Sequence, residues 1–375
     1  MKGFLKFLKY AMIIFLSIIM LLAIGVILYL QHPKFGKAPS GERLSRIRQS
    51  PQFKKDKFEN SSFTPMFAEG YSISSLLYDQ LLKKQPDREP KGIIPSVKTD
   101  LLQLDRDENI LVWFGHSSYF MQLEGKRFLV DPVFSGNASP VPGSVKAFKG
   151  TDPYTVFDLP EIDFLLITHD HYDHLDYETI VAIKDKVQIV ICGLGVGSHF
   201  EFWGYSPNAI IEKDWDETVE FQDLKIHTCQ ARHFSGRAFS RNNTLWLSYV
   251  VESTNRKIYV GGDSGFDTHL AEIGEVHGPI DLAILDNGQY NQAWRNIHFF
   301  PEETVKAALD LKANSLMPVH SSKFALSMHP WSEPISEVYK FSKQYKMPLL
   351  TPIIGEKIWL DDENQIFSAW WKSVE

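Results

Sequence analysis

Residues 168–176 read T-H-D-H-Y-D-H-L-D and continue directly from the apolar stretch DFLLIT (163–168). Four metal-ligating side chains, His169, His171, Asp173 and His174, fall within six residues. A buried strand that runs into such a loop can aim His169 and His171 at one ion and Asp173 with His174 at a neighbour. Imidazole and carboxylate donors suit zinc, with manganese or iron as alternatives. A polar loop with accidental histidines does not ordinarily carry three of them beside an aspartate at this spacing.

Two ions need more than four ligands, so further donors must come from other strands. His233 follows the apolar strand 224–230, Asp263 ends RKIYVGG (256–262), and His320 ends NSLMPV (314–319). Each alone reads as a turn or cap residue. If the strand ends share one edge, all seven converge.

The rest of the chain supports a layered fold. Strand signals begin at ILVWF (110–114), SYFMQL (118–123) and RFLVD (127–131). They recur at 187–192, 245–252 and 280–285. Helical stretches lie between them at 177–185 and 301–311, the second opening with Pro301 and two acids. Strands with interspersed helices argue an α/β domain with helices packed on sheets. The 375 residues, 44% of them hydrophobic, suffice for one large core or two modest domains. A net charge of −7 without a basic tract argues against a nucleic-acid partner. Cys192 and Cys229 cannot form a disulfide framework and read as two buried thiols. Gly193–Gly197 lacks the spacing and lysine of a nucleotide loop and reads as a flexible turn.

Residues 11–30 form an almost unbroken apolar run. Twenty helical residues span about 30 Å, the thickness of a bilayer core. Cleaved signal peptides have shorter apolar cores and end at small residues, whereas this run ends in Tyr29-Leu30-Gln31-His32-Pro33. The expectation is a basic tail (1–10), a single membrane span (11–30), a linker and extension (31–105) and a catalytic domain (106–375). Flanking lysines nearly tie across the span, with a lean toward an extracytoplasmic domain. Within the extension, 72–84 has helical spacing at Ile73, Leu76, Leu77 and Leu81, whose simplest role is packing.

The pattern H-x-H-x-D-H resembles the signature of the metallo-β-lactamase superfamily over roughly residues 105–360. That resemblance implies an αββα sandwich of two mixed sheets with a binuclear site at the strand ends. It implies His169, His171 and His233 on one metal, Asp173, His174 and His320 on the other, and Asp263 bridging. The flavin-partnered di-iron branch carries Glu where His171 stands, so His171 favours a hydrolase. W-F-G-H-S-S (113–118), V-D-P-V-F-S (130–135), A-R-H-F-S-G-R (231–237), G-G-D-S-G-F (261–266), H-F-F-P-E-E (298–303), V-H-S-S-K-F (319–324) and H-P-W-S-E-P (329–334) resemble the branch of N-acyl-phosphatidylethanolamine-hydrolysing phospholipase D. That branch grades into ascorbate-lactone hydrolases. Asp286 departs from the phospholipase pattern, and a carboxylate there would alter the charge of the pocket.

These readings point to hydroxide attack on a phosphodiester at two Zn2+ ions, with Asp263 orienting the hydroxide and Asp173 ligating or accepting a proton. His298 is the candidate proton donor or phosphate contact. His116 is a candidate for orienting a ligand or for contacting substrate. Arg237 is a candidate for pairing a phosphate, and His329 for lining the mouth. Asp131 is expected to brace the metal loop. The expected partners are the lipid bilayer and a phospholipid. The competing readings are a lactonase or another small-molecule metallo-hydrolase, and a non-enzymatic metal-binding protein.

Overall fold

The structure is a computed structural model and describes residues 2–83 and 87–374. The apolar N-terminus forms one helix, α1 (Lys2–Tyr29), so the basic tail is helical too. None of its side chains is buried, and it is long and apolar enough to cross a membrane by length and composition.

Between α1 and the first sheet, the chain forms a short helix, α2 (Gly41–Ile47), and a two-strand ladder, β1 (Phe53–Lys54) with β2 (Lys57–Phe58). A third helix, α3 (Ile73–Leu82), is capped by Ser72, whose hydroxyl accepts from the Ser75 amide. Lys84, the last residue of the expected helix, lies outside the described residues. Ile73, Leu77 and Leu81 do not pack as the spacing suggested; they are 63%, 52% and 77% exposed. The extension is tied to the domain by backbone bonds such as Ala68 to Ala293 and Ile94 to Lys149.

Two mixed sheets form the centre. The first runs in the order β15 (Lys357–Trp359), β3 (Ile110–Trp113), β4 (Tyr119–Leu123), β5 (Lys126–Val130), β6 (Ile162–Ile167), β7 (Val187–Gly193), β8 (Ile210–Lys213). Pairing is antiparallel from β15 to β5 and parallel from β5 to β8. The second runs β14 (Ala313–Val319), β13 (Ile280–Asp286), β12 (Lys257–Val260), β11 (Ser248–Glu252), β10 (Leu224–Cys229), β9 (Glu217–Phe221). Here β12, β13 and β14 are parallel and the rest antiparallel.

The sheets pack face to face over Leu111, Met121, Phe128, Leu166, Tyr249, Val260, Ile284 and Met317. On the outer face of the first sheet, Leu165, Ile167 and Val190 meet Ile180 and Ile183 of α4 (Tyr177–Ile183) and Phe200 of α5 (Gly197–Phe202). On the outer face of the second, Tyr259, Ala283 and Leu316 meet α6 (His269–His277), α7 (Pro301–Asp310) and α8 (Glu333–Tyr345). The result is the α/β/β/α sandwich. Burial on both faces explains the continuous apolar runs. The strands β8, β9 and β15 escaped the sequence reading because half-exposed edge segments lack such runs.

The parallel strands β5 and β6 end at one edge, as do β12, β13 and β14. Tyr249 ties the sheets there, donating to the carbonyls of Ile167 (2.6 Å) and Ile191 (2.9 Å). Gly193–Gly197 contains a turn at 194–196, as expected, but a buried one, and a Cβ on Gly193 would stand 2.2 Å from the Leu245 carbonyl. Cys192 and Cys229 are free, buried thiols in different sheets.

Candidate metal centre

Several side chains at this edge are oriented by a neighbour. Asp131, just past β5, accepts from the Thr168 amide (2.9 Å), the Thr168 hydroxyl (2.6 Å) and Nδ1–H of His174 (2.8 Å). That turns Nε2 of His174 toward Asp263 and Asp173, whose charges outweigh burial and hold the ring well above the ordinary imidazole range, so a cation bound there would displace a proton. With its proton given to Asp131, Thr168 Oγ1 accepts from Nδ1–H of His169 at 3.0 Å, which frees Nε2 of His169. His233 donates Nδ1–H to the Ile297 carbonyl at 2.9 Å and likewise frees Nε2. Such partners fix which imidazole nitrogen is available to a cation.

The freed nitrogens converge. Nδ1 of His171 lies 2.8 Å from Nε2 of His169 and 3.3 Å from Nε2 of His233. Two of these three nitrogens carry lone pairs, so one ring proton cannot satisfy the group; a cation at their centre would. Asp263 stands beside them, with Oδ2 at 3.8 Å from His169 Nε2, 3.6 Å from His233 Nε2 and 3.2 Å from His174 Nε2. Its Oδ1 is 3.1 Å from Nδ1 of His320. Gly262 permits this approach, since a Cβ there would fall 2.7 Å from Thr168 Cβ.

A second set faces the first across Asp263: His116, Asp173, His174 and His320 have donor atoms within 4.8 Å of one another. His116 donates Nε2–H to Asp173 at 2.9 Å. His174 Nε2 and Asp263 Oδ1 are buried without a hydrogen-bond partner. The donor chemistry and these orphaned atoms fit divalent cations. His116 and His320 both have positive φ, +53° and +64°, in loops that exchange backbone bonds: His320 N to His116 O (3.0 Å) and His116 N to Ser321 O (3.2 Å). That mutual pairing holds two strained residues in place.

Burial pushes His169, His233 and His320 well below the ordinary imidazole range and His171 down to about 4, so the rings are neutral and their lone pairs open. Burial lifts Asp263 to about 6. A family model described as a beta-lactamase superfamily domain matches residues 126–321. The chain belongs to the metallo-β-lactamase superfamily.

Among proteins similar to this metallo-β-lactamase superfamily hydrolase is an uncharacterized protein of Mycobacterium tuberculosis. It is 34% identical over 329 residues, which are 86% of this chain and 88% of the relative. N-acyl-phosphatidylethanolamine-hydrolyzing phospholipase D 1 of Caenorhabditis elegans is 33% identical over 221 residues, 56% of this chain and 62% of that protein. The solved structure of Igni18, a metallo hydrolase of Ignicoccus hospitalis, shares the fold, with a TM-score of 0.52 and 18% identity. It covers 67% of this chain and 97% of its own.

A cavity of about 310 Å³ opens over the centre of this hydrolase. His171, Asp173, His233, Asp263, His298 and His320 line it, beside Met66, Phe67, Phe234, Trp294 and Leu326. Among the described residues its cation is Arg241, stacked over the Phe234 ring at 3.9 Å. Arg237 is not there. Its buried guanidinium donates to the carbonyls of Asp170 (2.9 Å), Leu175 (2.8 Å) and Lys34 (3.1 Å), which leaves no fork for a phosphate. His329 does not line the cavity either. It accepts from the Gln289 amide (2.8 Å) and donates to the Pro330 carbonyl (2.9 Å), so it acts through Gln289, a lining residue. His116 is wholly buried beneath Asp173 and orients that carboxylate instead of touching substrate.

His298 lines the cavity, with Nδ1 at 2.7 Å from Asp286 Oδ2. Asp286 is wholly buried and absent from the lining, so it alters the pocket through His298, not by its own charge. Sequence reasoning missed Arg241 and the wall from Met66, Phe67 and Trp294. No pattern in the extension marks two of its residues as cavity lining.

Proposed function

We propose that this hydrolase holds two zinc ions, with manganese or iron as alternatives, and cleaves a phosphodiester of an N-acyl-phosphatidylethanolamine-like membrane lipid. The observation that carries the reading is Asp263, shared by two donor sets on the floor of an apolar-walled cavity containing one arginine. His169, His171 and His233 would hold one ion, Asp173, His174 and His320 the other, and Asp263 both. When bound, such ions polarise phosphoryl oxygens and lower the pKa of water.

The chain's own groups supply the rest. His116 holds Asp173 toward the centre, where it ligates or accepts a proton. His298, with Nδ1 committed to Asp286, offers Nε2 to the leaving oxygen as proton donor. Arg241 faces the phosphoryl charge, and Phe67, Phe234 and Trp294 give acyl chains an apolar wall. The exposed helix α1 anchors the domain at the bilayer, which raises the local concentration of lipid. The similarity to a phospholipase D of C. elegans supports the lipid class.

A second reading, a lactonase or other small-molecule hydrolase, is favoured by the cavity's modest size, about 310 Å³, at the low end for ligand sites. One experiment separates the two. The metal-loaded chain is incubated with N-acyl-phosphatidylethanolamine in mixed micelles and, separately, with a lactone panel, and products are identified by mass spectrometry. Phosphatidic acid release is expected; lactone opening alone overturns the lipid reading.

A further inference from the structure

The backbone leaving α1 makes a series of bonds to the side chains that hold the loop 169–176. The Lys34 carbonyl accepts from Nε of Arg237 at 3.1 Å and also from its Nη2. The other terminal nitrogen of the same guanidinium holds the Asp170 and Leu175 carbonyls. Tyr172, inside the loop, lies under that guanidinium at 4.2 Å, and Phe35 meets the Tyr172 ring edge-on.

A second connection runs through His199. The Lys37 amide donates to its Nδ1 at 2.9 Å, which leaves Nε2–H to donate to Asp170 Oδ2 at 3.3 Å. The Lys37 carbonyl accepts from Ser198 at 2.6 Å, and the Pro33 carbonyl accepts from Trp203 at 2.8 Å. Gly36 makes the fit possible: its φ is +73°, and a Cβ there would stand 2.1 Å from His199 Nδ1. Asp170 therefore has both oxygens fixed, Oδ1 by the Gly236 amide (2.7 Å) and Oδ2 by His199 and Thr244.

We infer that residues 33–37, at the foot of the apolar helix, are a positioning element of the metal centre. Seated on Arg237 and His199, they hold Asp170 and Leu175, and thereby the four donors between and beside them, His169, His171, Asp173 and His174. The inference rests on the reading of those donors as metal ligands. Arg237 and His199 are positioning residues: neither lines the cavity, and each acts through the loop backbone or Asp170.

The test is titration of the metal-free full-length chain in detergent with Co2+, read from its visible absorption. The variants are Gly36→Val, which unseats the segment without touching a donor, and Arg237→Lys, whose single ammonium cannot span the three carbonyls. Both are expected to fold, by circular dichroism, and to bind Co2+ about 10- to 100-fold more weakly than wild type. Folded variants with wild-type affinity overturn the inference. A wild-type chain that binds no Co2+ overturns the metal reading itself, and this inference with it. A measurement on wild type alone guards against unfolded variants. Hydrogen exchange at amides 34–37 and 169–176 should slow together on adding Co2+. Slowing confined to the loop overturns the coupling.

Discussion

Nδ1 of His298 stands 2.7 Å from Oδ2 of Asp286, and both side chains are buried. Burial pushes the Asp286 carboxyl well above its ordinary range and the His298 imidazole below its own, so the environment favours a pair without net charge. The contact fixes the ring so that Nε2 is the nitrogen offered to the cavity. Asp286→Ala should lower kcat about 10²-fold with little change in KM. Asp286→Asn, which can still hydrogen-bond Nδ1, should retain most of the rate. Steady-state kinetics of the two variants check this, and an Asp286→Ala enzyme as fast as wild type would refute the role.

The metal reading predicts stoichiometry. Wild type should carry two equivalents by elemental analysis, and chelation should abolish hydrolysis. His169→Ala removes one donor from the three-nitrogen group, and Asp263→Ala removes the carboxylate common to both groups. Each should lower activity more than the roughly 10- to 100-fold typical of an outer partner. Asp263→Ala should also reduce the metal content of both sites together, because Asp263 touches His169 and His233 on one side and His320 on the other. Full activity in metal-free protein would end the proposal.

Arg241 is a cation at the cavity, and its burial against Phe234 depresses its pKa. A charge-assisted contact to phosphate contributes about 1.5–3 kcal/mol. Arg241→Ala should therefore raise KM for an anionic diester about 10-fold or more while kcat changes little, the sign of lost ground-state binding. For an uncharged lactone the same change should be silent. Equal effects on both substrates would show that Arg241 shapes the wall and does not read charge.

Asp176 gives a pH-dependent stability test. Burial lifts its carboxyl to about 6, while it accepts from the Ser135 amide and the Thr179 hydroxyl. The unfolded value is about 3.9. A folded-state pKa raised in this way means that folding favours the protonated acid. Stability from this group is fully present below about pH 4 and is lost as pH rises through about 6. Asp176→Asn, neutral and still able to accept, should raise stability by up to about 3 kcal/mol above pH 6 and have little effect near pH 4. Urea unfolding at the two pH values decides it; a gain equal at both would point to packing instead.

The layered fold was legible because strands buried on both faces leave unbroken apolar runs, as at 163–167 and 280–285. The clustering of the candidate donors was legible because strand ends at one edge can meet, and His233, Asp263 and His320 do lie beside the 169–174 loop. The direction of a side chain was not legible. Arg237 and Arg241 sit four residues apart in one loop, and only the fold decides that the first turns to buried carbonyls while the second turns to the cavity. Asp286 shows the same limit, since its effect depends on His298, twelve residues away and brought back by the turn before α7. Local pattern reports burial; long-range hydrogen bonding sets orientation.

The helix α1 supplies the last prediction. Its large apolar side chains from Phe4 to Tyr29 are all exposed, a surface unfavourable in water. Twenty such residues match a bilayer core about 30 Å thick. The segment after α1 is bonded to the domain through Trp203 and Arg237, and Tyr29 donates to the Pro140 carbonyl, so an inserted helix would hold the catalytic body against the lipid surface. The full-length chain should stay with membranes through an alkaline carbonate wash, whereas a chain lacking residues 2–30 should be released. Protease protection in sealed vesicles then reports which side the domain occupies. A mature N-terminus beyond Leu30, found by sequencing the cellular protein, would instead make α1 a cleaved leader. The lipid substrate would then have to be reached without an anchor, by surfaces such as the exposed Ile73, Leu77 and Leu81 of α3.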